Sequence, residues 1–151
     1  MISFNEFKAN ADRVLANIAE ACRAVNRSPA DVELLAVTKT HPVAAAEYAA
    51  LYGLKSVGEN RVQEAIDKKA LSHSNLRWEL IGHLQSNKAK LAVEHFDRVQ
   101  SVDSEKLLAN LNKIAGEQGR ILAVLLQINA GRDPAKFGAE IEDASHLLEA
   151  A

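Results

Sequence analysis

Glu33-Leu34-Leu35-Ala36-Val37-Thr38-Lys39-Thr40-His41-Pro42 is a short apolar run that ends in a lysine and is then stopped by a proline. No polar residue alternates through 34–38, so the run reads as a strand covered on both faces, the kind that parallel sheets contain. Lys39 falls at its exit. An ammonium taken out of water is costly unless it is paired or discharged, which leaves two uses for a lysine at this place. It snorkels, keeping its charge wet over an apolar stem, or it serves as a partly desolvated amine able to condense with an aldehyde.

The neighbouring stretches set that run in a repeating order. Before it, Phe4, Phe7, Ala11, Val14, Leu15 and Ile18 recur at helical spacing over 3–25, and Ser3 with Glu6 forms a capping-box pattern. After it, 43–52 is alanine-rich and ends at Gly53, a helix with a glycine stop. The same alternation continues: strands are predicted over 54–58, 78–82, 98–102 and 121–128, with helices over 61–71, 88–96, 103–115 and 139–151. Five apolar strands, each followed by a helix, imply βαβ crossovers and a parallel sheet. Two α/β architectures accommodate this pattern, a doubly wound open sheet and part of a (β/α)8 barrel of the TIM type. The glycine fingerprint of dinucleotide-binding sheets and the phosphate loop with its lysine and serine are both missing, which weighs against the first.

Composition narrows the function classes. The chain has 151 residues, 48% of them apolar and 25% charged, with a net charge of −2. This is one domain's worth, spanning 1–151, with no general attraction for nucleic acid or an anionic membrane. Cys22 is the only cysteine, so no intrachain disulfide forms and no thiolate metal cluster assembles, and a reducing, cytoplasmic setting is expected. No apolar run reaches the length of a membrane span, and the N-terminal residues carry charge where a signal peptide would be apolar.

In either architecture ligands bind beyond the carboxyl ends of the strands. The residues expected along that rim are Lys39, Glu59 with Asn60, His83 with Gln85, Asp103, and Asn129 with Arg132. An amine, amides and an imidazole suit a polar, aromatic or aldehyde ligand. Simpler roles compete. Asn60 reads equally as the N-cap of the helix after it, Asp103 and Ser86 as caps, and His83 as a hydrogen-bonded turn residue. No second histidine or carboxylate stands at metal-ligand spacing from His83, and no serine or cysteine has an adjacent base.

Three phrases, Leu35-Ala36-Val37-Thr38-Lys39-Thr40, Gly58-Glu59-Asn60-Arg61-Val62-Gln63-Glu64 and Trp78-Glu79-Leu80-Ile81-Gly82-His83-Leu84-Gln85-Ser86-Asn87-Lys88, together resemble the pyridoxal phosphate homeostasis protein family. Gln127-Ile128-Asn129 and Lys136-Phe137-Gly138 extend the match. The family is similar to the N-terminal barrel domain of alanine racemase standing alone. The resemblance implies a fold type III barrel with pyridoxal 5′-phosphate held as an internal aldimine on Lys39, and it places Asn60 and His83 on the cofactor rim. It covers about the first two-thirds of a family member: here five β/α units with an N-terminal helix, a truncated barrel. The family's phosphate-holding residues lie in later strand-helix loops.

The resemblance therefore implies a non-catalytic carrier or buffer of pyridoxal 5′-phosphate in vitamin B6 homeostasis. Two alternatives stand beside it. A racemase-like enzyme would need an acid/base group opposite Lys39, and none is identified. A chain that no longer binds the cofactor would act only by association. Self-association is expected in any case, because 121–128 is an apolar strand that would form an unpaired sheet edge.

Overall fold

The computed structural model describes residues 2–151. Helix α1 (Phe4–Ala24) starts at the expected capping box: the Ser3 hydroxyl accepts from the Glu6 amide while Glu6 reaches back to the Ser3 amide at 2.7 Å. Five strands follow: β1 (Ala36–Val37), β2 (Ser56–Glu59), β3 (Arg77–Leu80), β4 (Arg98–Val102) and β5 (Ala123–Leu126). The helices between and after them are α2 (Ala44–Tyr52), α3 (Val62–Leu71), α4 (Ala89–His95), α5 (Glu105–Glu117) and α6 (Ala144–Glu149). All strand pairs are parallel, and the sheet order is β1-β2-β3-β4-β5, the order of a barrel built strand by strand. The fold is a partial α/β barrel.

Register divides the sheet into two faces. Val57 and Trp78 share one face, as do Leu80, Val99 and Val124, and these residues pack against the helices. Trp78, Leu80, Val93, Phe96 and Val99 are all but completely buried there and form the centre of the apolar core. Small residues let the helices come close: Ala46 and Ala49 of α2, and Ala89 and Ala92 of α4, have almost no exposed surface. Val37, Gly58, Glu79, Arg98 and Ala123 are register partners on the opposite face, which would line a barrel's interior. That face is polar in places. Glu79 is buried and accepts from Gln100 at 2.7 Å and from Arg98 at 3.3 Å, and Arg77 pairs with Glu33.

The two edge strands depart from expectation. The first was expected as a buried strand over 34–38 but pairs only at Ala36 and Val37, and Val37 is 48% exposed. The fifth, expected over 121–128, is confined to Ala123–Leu126, with Ile121 wholly exposed. Each has one neighbour instead of two, so half of its backbone groups and its interior-facing side chains meet solvent. The last helix is also shorter than its periodicity, a 3-10 turn over Ile141–Asp143 leading into α6. Among the described residues, no helix is long and apolar enough to cross a membrane.

Candidate ligand rim

Of the residues expected on the rim, all but Glu59, the last residue of β2, lie beyond the carboxyl end of a strand. Lys39 is two residues beyond β1, Asn60 one beyond β2, His83 three beyond β3 and Asp103 one beyond β4. The strand ends are tied to one another. The Thr38 amide donates to the Gly58 carbonyl at 3.0 Å, the Ile81 amide to the Glu59 carbonyl at 2.9 Å, and the Ser101 hydroxyl to the Gly82 carbonyl at 2.6 Å. Gly82 lies so close to Asn60 that a Cβ there would stand 2.3 Å from the Asn60 carbonyl oxygen. Only glycine permits this approach, and it joins the second and third strand ends into one surface.

Lys39 stands exposed at the open edge of the sheet, and among the described residues its ammonium makes no hydrogen bond or ion pair. The residues beside it are held. Thr38 is buried, its hydroxyl donating to Glu59 Oε1 at 2.6 Å, and the Thr40 amide donates to Glu64 Oε1 at 2.6 Å. Thr40 adopts a left-handed conformation at φ 63°, which turns the chain sharply just after Lys39. Glu59, expected on the rim with Asn60, faces the other way. Strand alternation puts it on the helix side, where it is fully buried and bonded to Lys68 Nζ at 2.7 Å.

Asn60 is half-buried and does not cap α3. The N-cap is Arg61, without a side-chain bond, so the Asn60 amide remains uncommitted among the described residues. His83 is more than a turn residue. Its ring stacks on Phe137 with centroids 3.8 Å apart and planes 10° from parallel, and Nδ1 lies 3.3 Å from Asp103 Oδ2. Asp103 thus lies beside the imidazole, and Ser104 takes over as the cap of α5. Ser86 opens a 3-10 turn and makes no capping bond either.

Asn129 and Arg132 do not join the rim as ligand groups. Asn129 is spent on its own loop: its amide nitrogen donates to the Asp133 carbonyl at 2.9 Å and its oxygen accepts from the Asp133 amide at 3.2 Å. Arg132 pairs with Glu142. The loop they brace carries Phe137 across to His83, with Gln127 Nε2 holding the Phe137 carbonyl at 3.0 Å. Between them opens a cleft of about 510 Å3 lined by Ile81, His83, Gln127, Asn129, Lys136 and Phe137, within the roughly 300–1,000 Å3 of small-molecule sites. Lys39 and Asn60 do not line it. The stacking of Phe137 on His83 and the pairing of Glu59 with Lys68 beside Glu64 were not recognised from sequence. The four-residue spacing of Glu64 and Lys68 on a helix was the available signal.

A parallel sheet wound in chain order, with its polar groups gathered at the carboxyl ends of the strands, defines a ligand-binding β/α barrel class. The model of the alanine racemase N-terminal domain family matches residues 9–151, and the chain belongs to that family. It is 43% identical over 142 residues to the pyridoxal phosphate homeostasis protein of Pseudomonas aeruginosa, covering 93% of this chain and 62% of that protein. To the protein of the same name from Escherichia coli K12 it is 36% identical over 150 residues, covering 97% and 64%. The chain thus spans less than two-thirds of the length of these curated relatives. Among solved structures, PipY of Synechococcus elongatus with PLP bound superposes with a TM-score of 0.73 at 42% identity, covering 89% of this chain and 62% of that one. Alanine racemase from Bartonella henselae with covalently bound pyridoxal phosphate gives a TM-score of 0.72 over 98% of this chain and 39% of its own, at 16% identity, a likeness of fold alone.

Proposed function

We propose that this chain carries the covalent attachment half of a pyridoxal 5′-phosphate site, with Lys39 as the attachment residue and Asn60 and His83 as lining residues, in a non-catalytic protein of intracellular vitamin B6 homeostasis. The observation that carries the reading is the free Lys39 ammonium on a strand end whose flanking residues are both pinned. An unpaired amine carried on a pinned stretch of backbone is open to condensation with an aldehyde. The residues present suit the group: an amine for its aldehyde, an uncommitted amide, and an imidazole beside a carboxylate. Bound there, the cofactor would bring a reactive aldehyde that a carrier keeps out of solution. The relatives named for this homeostasis, and the PLP-bound structure among them, support the same reading.

The relatives that are named for pyridoxal phosphate homeostasis, and not for conversion of an amino acid, support a carrier over an enzyme. The single cysteine, Cys22, fits the reducing cytoplasm where such a buffer would work. The exposed edge strands β1 and β5 further support self-association of this chain through its open sheet.

Borohydride reduction after incubation with pyridoxal 5′-phosphate, followed by peptide mass analysis, tests the attachment. One pyridoxyl group on the peptide containing Lys39, absent from Lys39→Ala, is expected. Labelling confined to other lysines, or none, overturns the assignment.

A further inference from the structure

We infer that Glu59, Glu64 and Lys68, none of which reaches the rim, act as a positioning device that holds the backbone on both sides of Lys39 and so aims its amine. This rests on the reading of Lys39 as the attachment residue. The cluster lies beneath α3 on the helix side of the sheet. Lys68 Nζ donates three bonds of 2.7 Å, to the Thr38 carbonyl, to Glu59 Oε1 and to Glu64 Oε1. Glu59 Oε1 also accepts from the Thr38 hydroxyl at 2.6 Å, and Glu64 Oε1 from the Thr40 amide at 2.6 Å. Of these five bonds, three end on Thr38 or Thr40. The cluster thus grips the residue before Lys39 twice and the residue after it once, and leaves Lys39 itself untouched.

A buried ion pair is a costly way to fill space, because apolar side chains of the same volume commonly serve stability as well or better. Here it is retained, with Glu59 Oε1 carrying both of that side chain's bonds, one to Lys68 and one to the Thr38 hydroxyl beside Lys39. The left-handed Thr40 tells the same story. A β-branched residue enters that conformation only when its surroundings hold it there, and here the bond from its amide to Glu64 acts together with the His41 amide donating to the Thr38 carbonyl at 3.1 Å across the turn. The turn it makes follows Lys39 directly, two residues beyond the last residue of β1.

Two readouts on the full chain test this, one of them independent of any cofactor. The first is hydrogen exchange of the Thr40 amide. The second is capture of pyridoxal without its phosphate: the Lys39 amine adds to the aldehyde carbon, water leaves, and borohydride delivers hydride to the resulting C=N bond, fixing the adduct for mass analysis. In Glu64→Ala, Thr40 exchange should rise on the order of tenfold or more, as expected for a lost bond to a charged acceptor. Capture at Lys39 should slow by roughly fivefold or more as the amine loses its fixed place. Glu64→Gln, which keeps an acceptor oxygen, should restore part of both. Glu47→Ala, which removes a carboxylate that accepts from the Ser72 hydroxyl and the His73 amide away from Lys39, should change neither. Thr40 exchange within about twofold of the native rate, or unaltered capture at Lys39 despite faster exchange, overturns the inference. Failure of native Lys39 to capture any aldehyde would instead remove the proposed function, with the exchange result still deciding whether the cluster holds the Lys39 backbone.

Discussion

Lys68→Met separates a buried ion pair from the strand end it grips. The ammonium side chain is 10% exposed and Glu59 not at all, so the pair is dry on both sides. Methionine keeps most of the apolar stem that Lys68 packs against the sheet, which confines the change to the charge and its three bonds. Removing one partner of such a pair strands the other in the interior and costs about 3–5 kcal/mol. The Glu64 bond adds less, since that carboxylate is 25% exposed and water replaces part of what it loses. Against a total stability of about 5–15 kcal/mol for a domain, the variant should unfold at a urea concentration lower by roughly 2 M, taking about 4 kcal/mol and a slope of about 2 kcal/mol/M. The double variant Glu59→Gln, Lys68→Met should lose clearly less than the sum of its parts, because no unpaired charge then remains. A single-variant loss below about 1 kcal/mol, the level of an exposed pair, would show that the cluster is solvated in solution and would refute the reasoning. The same comparison against pH adds a second constraint. The bond from Lys68 holds the Glu64 carboxyl below its ordinary 4.5. A depressed carboxyl stabilises the fold above its unfolded value and loses that contribution as pH falls through the folded one. The native protein should therefore weaken below pH 4.5, and the gap to Lys68→Met should narrow there; a gap that stays constant into acid contradicts the assignment.

The remaining predictions concern the close approach at the rim and the open edges. Gly82→Ala forces a Cβ to within 2.3 Å of the Asn60 carbonyl and 2.8 Å of its Cα, both backbone, so the strand ends must part; a loss of about 1–3 kcal/mol in thermal or urea unfolding is expected. Gly58→Ala meets chiefly the flexible tips of Leu35 and Ile81, so it should be milder, and equal losses would contradict this account of Gly82. Sedimentation velocity over a range of concentrations should show the chain self-associating through its exposed edges, with Val37→Lys weakening a contact made at β1; a monomer at high concentration in the native protein rules this out.

The interior of the fold was legible because apolar runs bounded by glycine and proline carry their own punctuation. Trp78, Leu80 and Val99 fall on the helix-facing side, and Gly53 ends α2 at φ 96° as its place after an alanine run requires. Sequence overstated the two edge strands, since hydrophobicity reports what a segment could bury and not whether a neighbour is present to bury it. Ile121 is as apolar as any core residue and wholly exposed. The rim was half legible. Lys39, Asn60 and His83 follow from the positions of the strand ends, whereas the partner of His83 is Phe137, brought from another loop by bonds among Gln127, Asn129 and Asp133 that no periodicity encodes. Asp103 was expected as a cap for a similar reason: a capping residue and a carboxylate set beside an imidazole look the same in sequence, and Ser104 beside it took the cap.

Glu59 shows how a one-residue difference in a strand divides two kinds of work. Successive side chains leave a strand on opposite faces, so Thr38 and Glu59 go beneath α3, while Lys39 and Asn60, each one position further on, stand at the rim. The same alternation thus gives one end of the sheet an exposed amine and a buried carboxylate within two adjacent strands, without letting them pair. Had Glu59 faced the rim as expected from its place beside Asn60, it would have offered Lys39 a counter-ion, and an amine committed to a salt bridge is a poor nucleophile toward an aldehyde. Lys68 prevents that outcome from the other side by taking up the charge of Glu59 inside the fold. The open amine at the strand exit and the closed ion pair behind it are therefore one arrangement, and its parity is set by the register of β1 on β2.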